Sequence, residues 1–268
     1  MIRDKKANSR LEFLFDSNLV NSKRSQITIF IIIALVIVAA LIILFYPRIK
    51  TLISPSDISE EIKACAEEAT NEALGKIEVQ GGFLEPENYM MYQGNKIEYA
   101  CYTNEYFKTC IMQRPFLKQD IEEELIAYVE PEVKGCISRL KSRIEKKSGT
   151  FSMSEVDVEV SIIPNSIVVV VNAPIVVTEE GTSRFDEIKV SIKSQIYKLS
   201  MIASSISNYE ARYGAADTLS YMLYYPDIKV EKKEQDAGTV YILTHKPTGE
   251  KFMFASRSLV WPSGYTGR

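Results

Sequence analysis

Residues 156–171 read VDVEVSIIPNSIVVVV, and this stretch decides the fold class. Val156, Val158, Val160 and Ile162 alternate with Asp157, Glu159 and Ser161, the period of two expected of a strand with one wet face. Pro164-Asn165-Ser166 is a turn. Ile167 to Val171 is an unbroken β-branched run, which predicts a central strand buried on both faces. Ile175 to Thr178 continues it after Asn172-Ala173-Pro174, and Glu180-Gly181 turns the chain again. Phe185, Ile188, Val190 and Ile192 then give the next strand. Strands joined by short turns build an antiparallel sheet.

Toward the carboxyl end the period lengthens. Ile196, Leu199, Ala203, Ile206 and Tyr213 predict a helix over 194–213 with these residues on its buried stripe. A shorter helix from Asp217 to Tyr225 stops at Pro226. Strands are expected near 228–234, 239–245 and 250–260, with Lys246-Pro247-Thr248-Gly249 turning between the last two. His245, the single histidine, reads as an exposed hairpin residue, and the tail after Val260 as loose.

Toward the amino end, residues 118–147 carry Ile121, Leu125, Tyr128, Val129, Val133, Cys136, Ile137, Leu140 and Ile144 on one helical stripe, with a kink or break at Pro131. Glu122-Glu123-Glu124 reads as a solvated helix start, where the dipole favours negative charge. Residues 83–117 look irregular and rich in aromatics. Within them Cys101 and Cys110 bracket YTNEYFKT, and Tyr99, Tyr102, Tyr106 and Phe107 are either loop packing or a candidate contact surface. Asp57 with Glu60 forms a capping box for a further helix, whose stripe is Ile58, Ile62, Cys65, Ala69, Ala73 and Ile77 and whose stop is Gly81-Gly82.

Ahead of all this lies ITIFIIIALVIVAALIILFY, residues 27–46, with no charge and fifteen Ile, Leu, Val or Phe residues in twenty. Such a helix covers roughly the 30 Å hydrocarbon core of a bilayer, and those residues favour insertion by about 5 to 9 kcal/mol. Pro47 follows directly, so the helix is expected to end beside Tyr46. Arg3, Lys5, Lys6, Arg10, Lys23 and Arg24 precede the stretch and Arg48 and Lys50 follow it, which favours a cytoplasmic amino terminus. Cys65, Cys101, Cys110 and Cys136 all lie after it, an even count on one side that suits disulfides in an oxidising exterior. Of three possible pairings we favour Cys65–Cys136, between two apolar stripes, and Cys101–Cys110, closing the local loop.

The run KRSQITIFIIIALVIV resembles the amino-terminal signal of archaeal type IV pilin-like proteins, in which a basic pair and a small residue precede Gln and the apolar helix. The resemblance implies a prepilin-type peptidase cutting between Ser25 and Gln26, and a homo-oligomer assembled through the apolar helix. Ser25 stands where Gly or Ala is usual, and Phe30 where many pilins carry Glu. The stretches EEIKACAEEATNEALGKIEVQGGFL and QDIEEELIAYVEPEVKGCI are similar to uncharacterised membrane-anchored proteins of small-genome archaea, a likeness that implies placement and no activity.

Charge is uneven: residues 1–50 hold eight Lys and Arg against three Asp and Glu, a net of +5, and the remainder holds 24 against 32, a net of −8. An acidic carboxyl part argues against nucleic acid, whose binding neutralises phosphates with Lys and Arg. No C-x-x-C, H-E-x-x-H, phosphate-binding glycine loop, nucleophile elbow or N-x-S/T sequon occurs, so no metal, cofactor or catalytic residue is expected.

The expected fold is α+β. A single amino-terminal transmembrane helix precedes a disulfide-containing helical region and a mostly antiparallel sheet with an inserted helix. Residues 1–25 are a cytoplasmic tail or leader, 26–47 the membrane helix, 48–150 the helical region and 151–268 the sheet region. The expected function is a single-pass, non-catalytic surface protein of the cell membrane, in contact with lipid, with a structural or interaction role and its carboxyl part outside. A bitopic protein with a partner-binding ectodomain and a membrane-anchored enzyme are the alternatives.

Overall fold

The computed structural model describes residues 31–41, 55–178, 182–235 and 238–260. The chain divides into two units, residues 1–54 and 55–268. Of the first unit only α1, residues 31–41, is described; it is helical, with its side chains exposed. Most of the apolar stretch, the Ser25–Gln26 junction, the Asp57 side chain and the tail after Val260 lie outside the described residues. Among the described residues no helix is long and apolar enough to cross a membrane.

The second unit is α+β with two sheets rather than the one expected. Helices α2 (Pro55–Ile77) and α3 (Leu117–Glu145) pack on each other. They lie on the face of a four-stranded sheet of β4 (Thr150–Met153), β5 (Asp157–Ile163), β6 (Ser166–Thr178) and β7 (Thr182–Lys193). β6 is central and antiparallel to its three partners. It does not bury both faces. Ile167, Val169, Val171, Ala173, Ile175 and Val177 face the helices while Val168 and Val170 are half-buried, because the layer above covers only one side. Pro174 sits where the β6–β7 register shifts, a bulge that tolerates a residue without an N–H.

The stripe of α3 runs without interruption from Leu117 to Ile144, and Pro131 lies inside a continuous helix on its solvent side. Burial of Val129 and Val133 on either side outweighs the backbone hydrogen bond that the proline removes. Glu122 and Glu124 are not simply solvated. Glu122 accepts from the Lys118 ammonium and from the N–H of Ile162 on the edge strand β5, both at 2.6 Å, and Glu124 accepts from the N–H of Leu84 at 2.9 Å.

The second sheet orders β1 (Tyr89–Tyr92), β2 (Asn95–Tyr102), β10 (Lys251–Arg257), β9 (Gly238–His245) and β8 (Ile228–Gln235), with β3 (Ile111–Met112) pairing further along β2. Residues 83–117 are therefore not irregular. β2 is a central strand, parallel to β10 and antiparallel to β1 and β3. Five consecutive residues, Ile97 to Cys101, are buried, so no alternation marks the strand in the sequence. The turn after α2 docks here: Glu98 N–H donates to Gln80 O at 3.1 Å and Met253 N–H to Glu78 O at 2.8 Å. Gly81 has φ +81°, and a Cβ on it would come within 2.9 Å of the Glu98 backbone and Cβ, so glycine is required at this turn. One face of the sheet carries Tyr241, Phe252 and Phe254, all fully buried, with α4 (Ile196–Tyr213) against it.

Cys65 is bonded to Cys136 and Cys101 to Cys110, the two pairs favoured above. The first staples α2 to α3 with Cα atoms 6.6 Å apart, and the second holds the β2–β3 connection with Cα atoms 5.4 Å apart. On the loop-entropy estimate, closing a loop of that first size is worth roughly 4 kcal/mol.

Candidate contact face and cleft

Helix α4 uses two faces. Ile196, Leu199, Ile202, Ala203 and Ile206 are buried on the sheet, and Met201, Ser205, Tyr209 and Tyr213 follow one another at helical spacing on the other side. Tyr213, expected on the buried stripe, is 65% exposed because the helix ends there at Gly214 (φ +89°), beyond the sheet. Its ring lies 4.7 Å from that of Tyr209.

Helix α5 (Thr218–Tyr224) follows, capped by Asp217, whose carboxylate accepts from Leu219 N–H at 3.1 Å and Ser220 Oγ at 2.7 Å. Those hydrogen bonds hold the Asp217 carboxyl below its ordinary range. α5 rests beside β8, and its Tyr221 hydroxyl meets Ser205 Oγ of α4 at 3.0 Å. None of its residues is buried, and Leu219, Leu223 and Tyr224 are 66%, 82% and 85% exposed. This short helix thus turns two leucines and a tyrosine to solvent, a candidate contact surface.

Beside it a cleft of about 490 Å³ opens between α4, the β5–β6 turn and the chain after α5. Pro164 and Asn165 form one wall, Tyr197, Lys198 and Met201 the floor, and Tyr225 the far side. The turn is fixed by Asn165 at φ +67° and by the N–H of Ser194, which donates to Asn165 O at 3.2 Å. The Lys198 ammonium is bonded to the Asp227 carboxylate, whose Oδ2 lies 3.3 Å from Nε2 of His245; Nδ1 of His245 is 2.8 Å from Thr248 Oγ1. Lys198 is the main reason the Asp227 carboxyl sits below its ordinary value. His245 is therefore not an exposed hairpin residue. It is 7% exposed, because the turn folds Thr248 over one nitrogen and Asp227 covers the other.

The order Thr248, His245, Asp227 has the composition of a nucleophile with its base and orienting acid, but it does not face the cleft. Neither Thr248 nor His245 lines it, and Thr248 Oγ1 already accepts from the N–H of Glu250 at 3.3 Å. A reacting group in the cleft meets Lys198 and tyrosines, an arrangement suited to holding a partner.

Behind α4 a buried acid ties the second sheet together. Glu210 is 2% exposed and accepts from the Tyr241 and Ser256 hydroxyls, with the N–H of Ala216 3.5 Å away. Ser258 Oγ donates to Glu210 O at 3.2 Å and accepts from Cys110 N–H at 3.1 Å, so the network reaches the second disulfide. Burial, then the nearby Glu210 charge, pushes the Tyr241 hydroxyl pKa far upward, so it stays a donor. Tyr241→Phe keeps the ring stacked on Phe254 but removes that donor. A loss of about 1 to 3 kcal/mol is expected in urea unfolding, and an unchanged midpoint would show the hydroxyl to be irrelevant.

The tyrosine cluster of the sequence analysis is only partly a surface. Tyr99 is buried among Met90, Ile97, Val240, Ile242 and Ala255, because it belongs to the central strand β2. Tyr102 packs edge-on to it at 5.0 Å and receives the Arg257 guanidinium at 3.2 Å. Tyr106 and Phe107 are half exposed beside the Cys101–Cys110 loop. The α4–α5 face was missed, although apolar residues on both sides of one helical pattern, at Met201 and Tyr209 as well as Leu199 and Ile206, were the signal for it.

No group of three or more His, Cys, Asp or Glu among the described residues could hold a metal ion. Comparison with protein-family models, curated proteins and solved structures returns no match.

Proposed function

We propose that this is a single-pass, membrane-anchored surface protein with a non-catalytic interaction role. Residues 27–46 anchor it, residues 55–268 lie outside the cytoplasm, and the α4–α5 face and its cleft engage a partner. The observation that carries the reading is the complete pairing of the cysteines: all four follow the apolar stretch, and all four are in disulfides. Disulfides persist in oxidising compartments and are rare in the cytosol. The exposed leucines and tyrosines of α5 support the interaction role.

The test is protease treatment of intact cells making the full chain, with non-reducing peptide mapping. Expected are loss of epitopes placed in 55–268, protection of an amino-terminal epitope, and two bridged cysteine peptides. A protected carboxyl part with four free thiols would overturn the proposal. Mass spectrometry of the mature amino terminus separates its branches. A start at Gln26 makes the chain a pilin-like subunit cut by a prepilin-type peptidase, and a start at Met1 makes it a bitopic tether.

A further inference from the structure

The four-stranded sheet ends in a strand that pairs on one side only among the described residues. β5 is shielded at its outer side by Glu122, which caps the N–H of Ile162, and β8 of the other sheet has α5 beside it. β7 pairs with β6 alone and presents twelve residues, 182-TSRFDEIKVSIK-193, along its other side, with no strand partner among the described residues. Edge strands are commonly blunted by charge, because unpaired N–H and C=O groups template pairing with another chain. β7 carries Arg184, Asp186, Glu187, Lys189 and Lys193, so blunting is the simple reading. The order of those charges argues otherwise.

Laid antiparallel on a second β7 about a two-fold axis between Glu187 and Ile188, the strand sets Asp186 opposite Lys189 twice. Arg184 then faces Ser191, Phe185 faces Val190, Ser183 faces Ile192 and Thr182 faces Lys193. No like charges meet. A register two residues shorter opposes Arg184 to Lys189 and Asp186 to Glu187, and one two residues longer opposes Arg184 to Lys193.

The single-residue slips fail for a structural reason. Ser183 and Phe185 lie beside the buried Val177 and Ile175 of β6, while Ile188, Val190 and Ile192 lie beside the buried Val171, Val169 and Ile167. The bulge between Asn172 and Ile175 thus reverses the inward parity of β7 midway. Only an odd-sum pairing then matches inward with inward on both sides of the axis, with the central Glu187–Ile188 pair at the reversal itself. A one-residue slip would turn each inward side chain against an outward one. Self-complementarity about a two-fold is what an isologous dimer requires.

We propose that a second copy of this chain pairs edge to edge through β7, forming a two-fold dimer with one continuous eight-stranded sheet. The Asp186–Arg184 pair within one chain, 2.8 Å long with both side chains more than 60% exposed, gives way to the cross-strand Asp186–Lys189 pair.

The experiment is sedimentation velocity on the full chain in detergent, comparing wild type with D186K, K189D and the double variant D186K/K189D. Each single variant places like charges opposite each other twice and should weaken dimerisation at least about tenfold, and the double variant should restore it. Unchanged melting temperatures keep the reading independent of folding, since all these side chains are exposed. A monomeric wild type, or four proteins that associate equally, would overturn the proposal. Equal association would locate the contact in another segment such as the apolar helix, and neither result bears on the sidedness of residues 55–268.

Discussion

Raising the pH from about 5 to about 8 should lower the unfolding free energy of this protein by roughly 4 kcal/mol, and Glu78→Gln should remove most of that dependence. Glu78 follows α2 at the turn that docks on β10, and its Oε1 is buried without a hydrogen-bond partner. Burial first, and the charge of Glu250 second, push its carboxyl from 4.5 up to about 8. Glu250 faces it as an acceptor already held by Ser194 Oγ at 3.0 Å and by the N–H of Gln195. The folded chain therefore keeps a proton on Glu78 that the unfolded chain has released. Stability is complete below the ordinary carboxylate value and falls by about 1.4 kcal/mol per pH unit until the folded group ionises near pH 8.

Burial also raises the Asp120 carboxyl, so Asp120 contributes in the same direction, and the comparison with E78Q separates the two. The lowered carboxyls of Glu72, Asp217, Asp227 and Glu231 contribute stability that disappears only as pH falls below their ordinary range. Urea unfolding of wild type and E78Q between about pH 5 and 9 is the measurement. Parallel curves for the two proteins would rule Glu78 out.

The second large effect sits at β2. Arg114→Ala should cost about 3 to 5 kcal/mol, far above the usual surface ion pair, because it strands a buried charge. Glu98 is 1% exposed, and its carboxylate accepts from the Arg114 guanidinium at 2.8 Å and from Asn88 N–H at 3.2 Å. The guanidinium lies over the Phe83 ring, 4.1 Å from its centre, and so links the Gly81–Phe83 turn to the central strand. Arg114→Met with Glu98→Gln should recover much of the loss, since replacing both partners leaves no uncompensated charge. Guanidinium midpoints of the single and double variants decide the matter. A double variant no better than Arg114→Ala would mean that stacking on Phe83, rather than charge, carries the effect.

The legible parts of the fold share a property. The α2 and α3 stripes and the β5 alternation each report a face buried against one layer, which repeats in the sequence at 3.6 or 2 residues. β2 lacks that repeat, since Ile97 and Tyr99 face one side while Glu98 and Ala100 are buried on the other. Its parallel partner β10 lies at the far end of the chain, so no turn announces the pairing. Of the tyrosines left open between packing and a contact surface, Tyr99 lies inside for this reason. His245 differs from expectation for a similar reason: a residue before a tight turn is normally exposed, and here Thr248 of the turn and Asp227, brought alongside just before β8, cover its two nitrogens.

By itself the sequence determined the helical stripes, the β5 alternation and the turn glycines, because each is a local pattern imposed by backbone geometry, and it displays the apolar stretch at 27–46. Tertiary structure alone decided that there are two sheets, that Glu98 and Glu210 are buried acids, and that α4 and α5 turn an apolar face outward. It also decided that β7 ends its sheet with no second strand partner among the described residues. Whether a side chain is covered depends on which distant element arrives over it, and no period in the chain records that arrival.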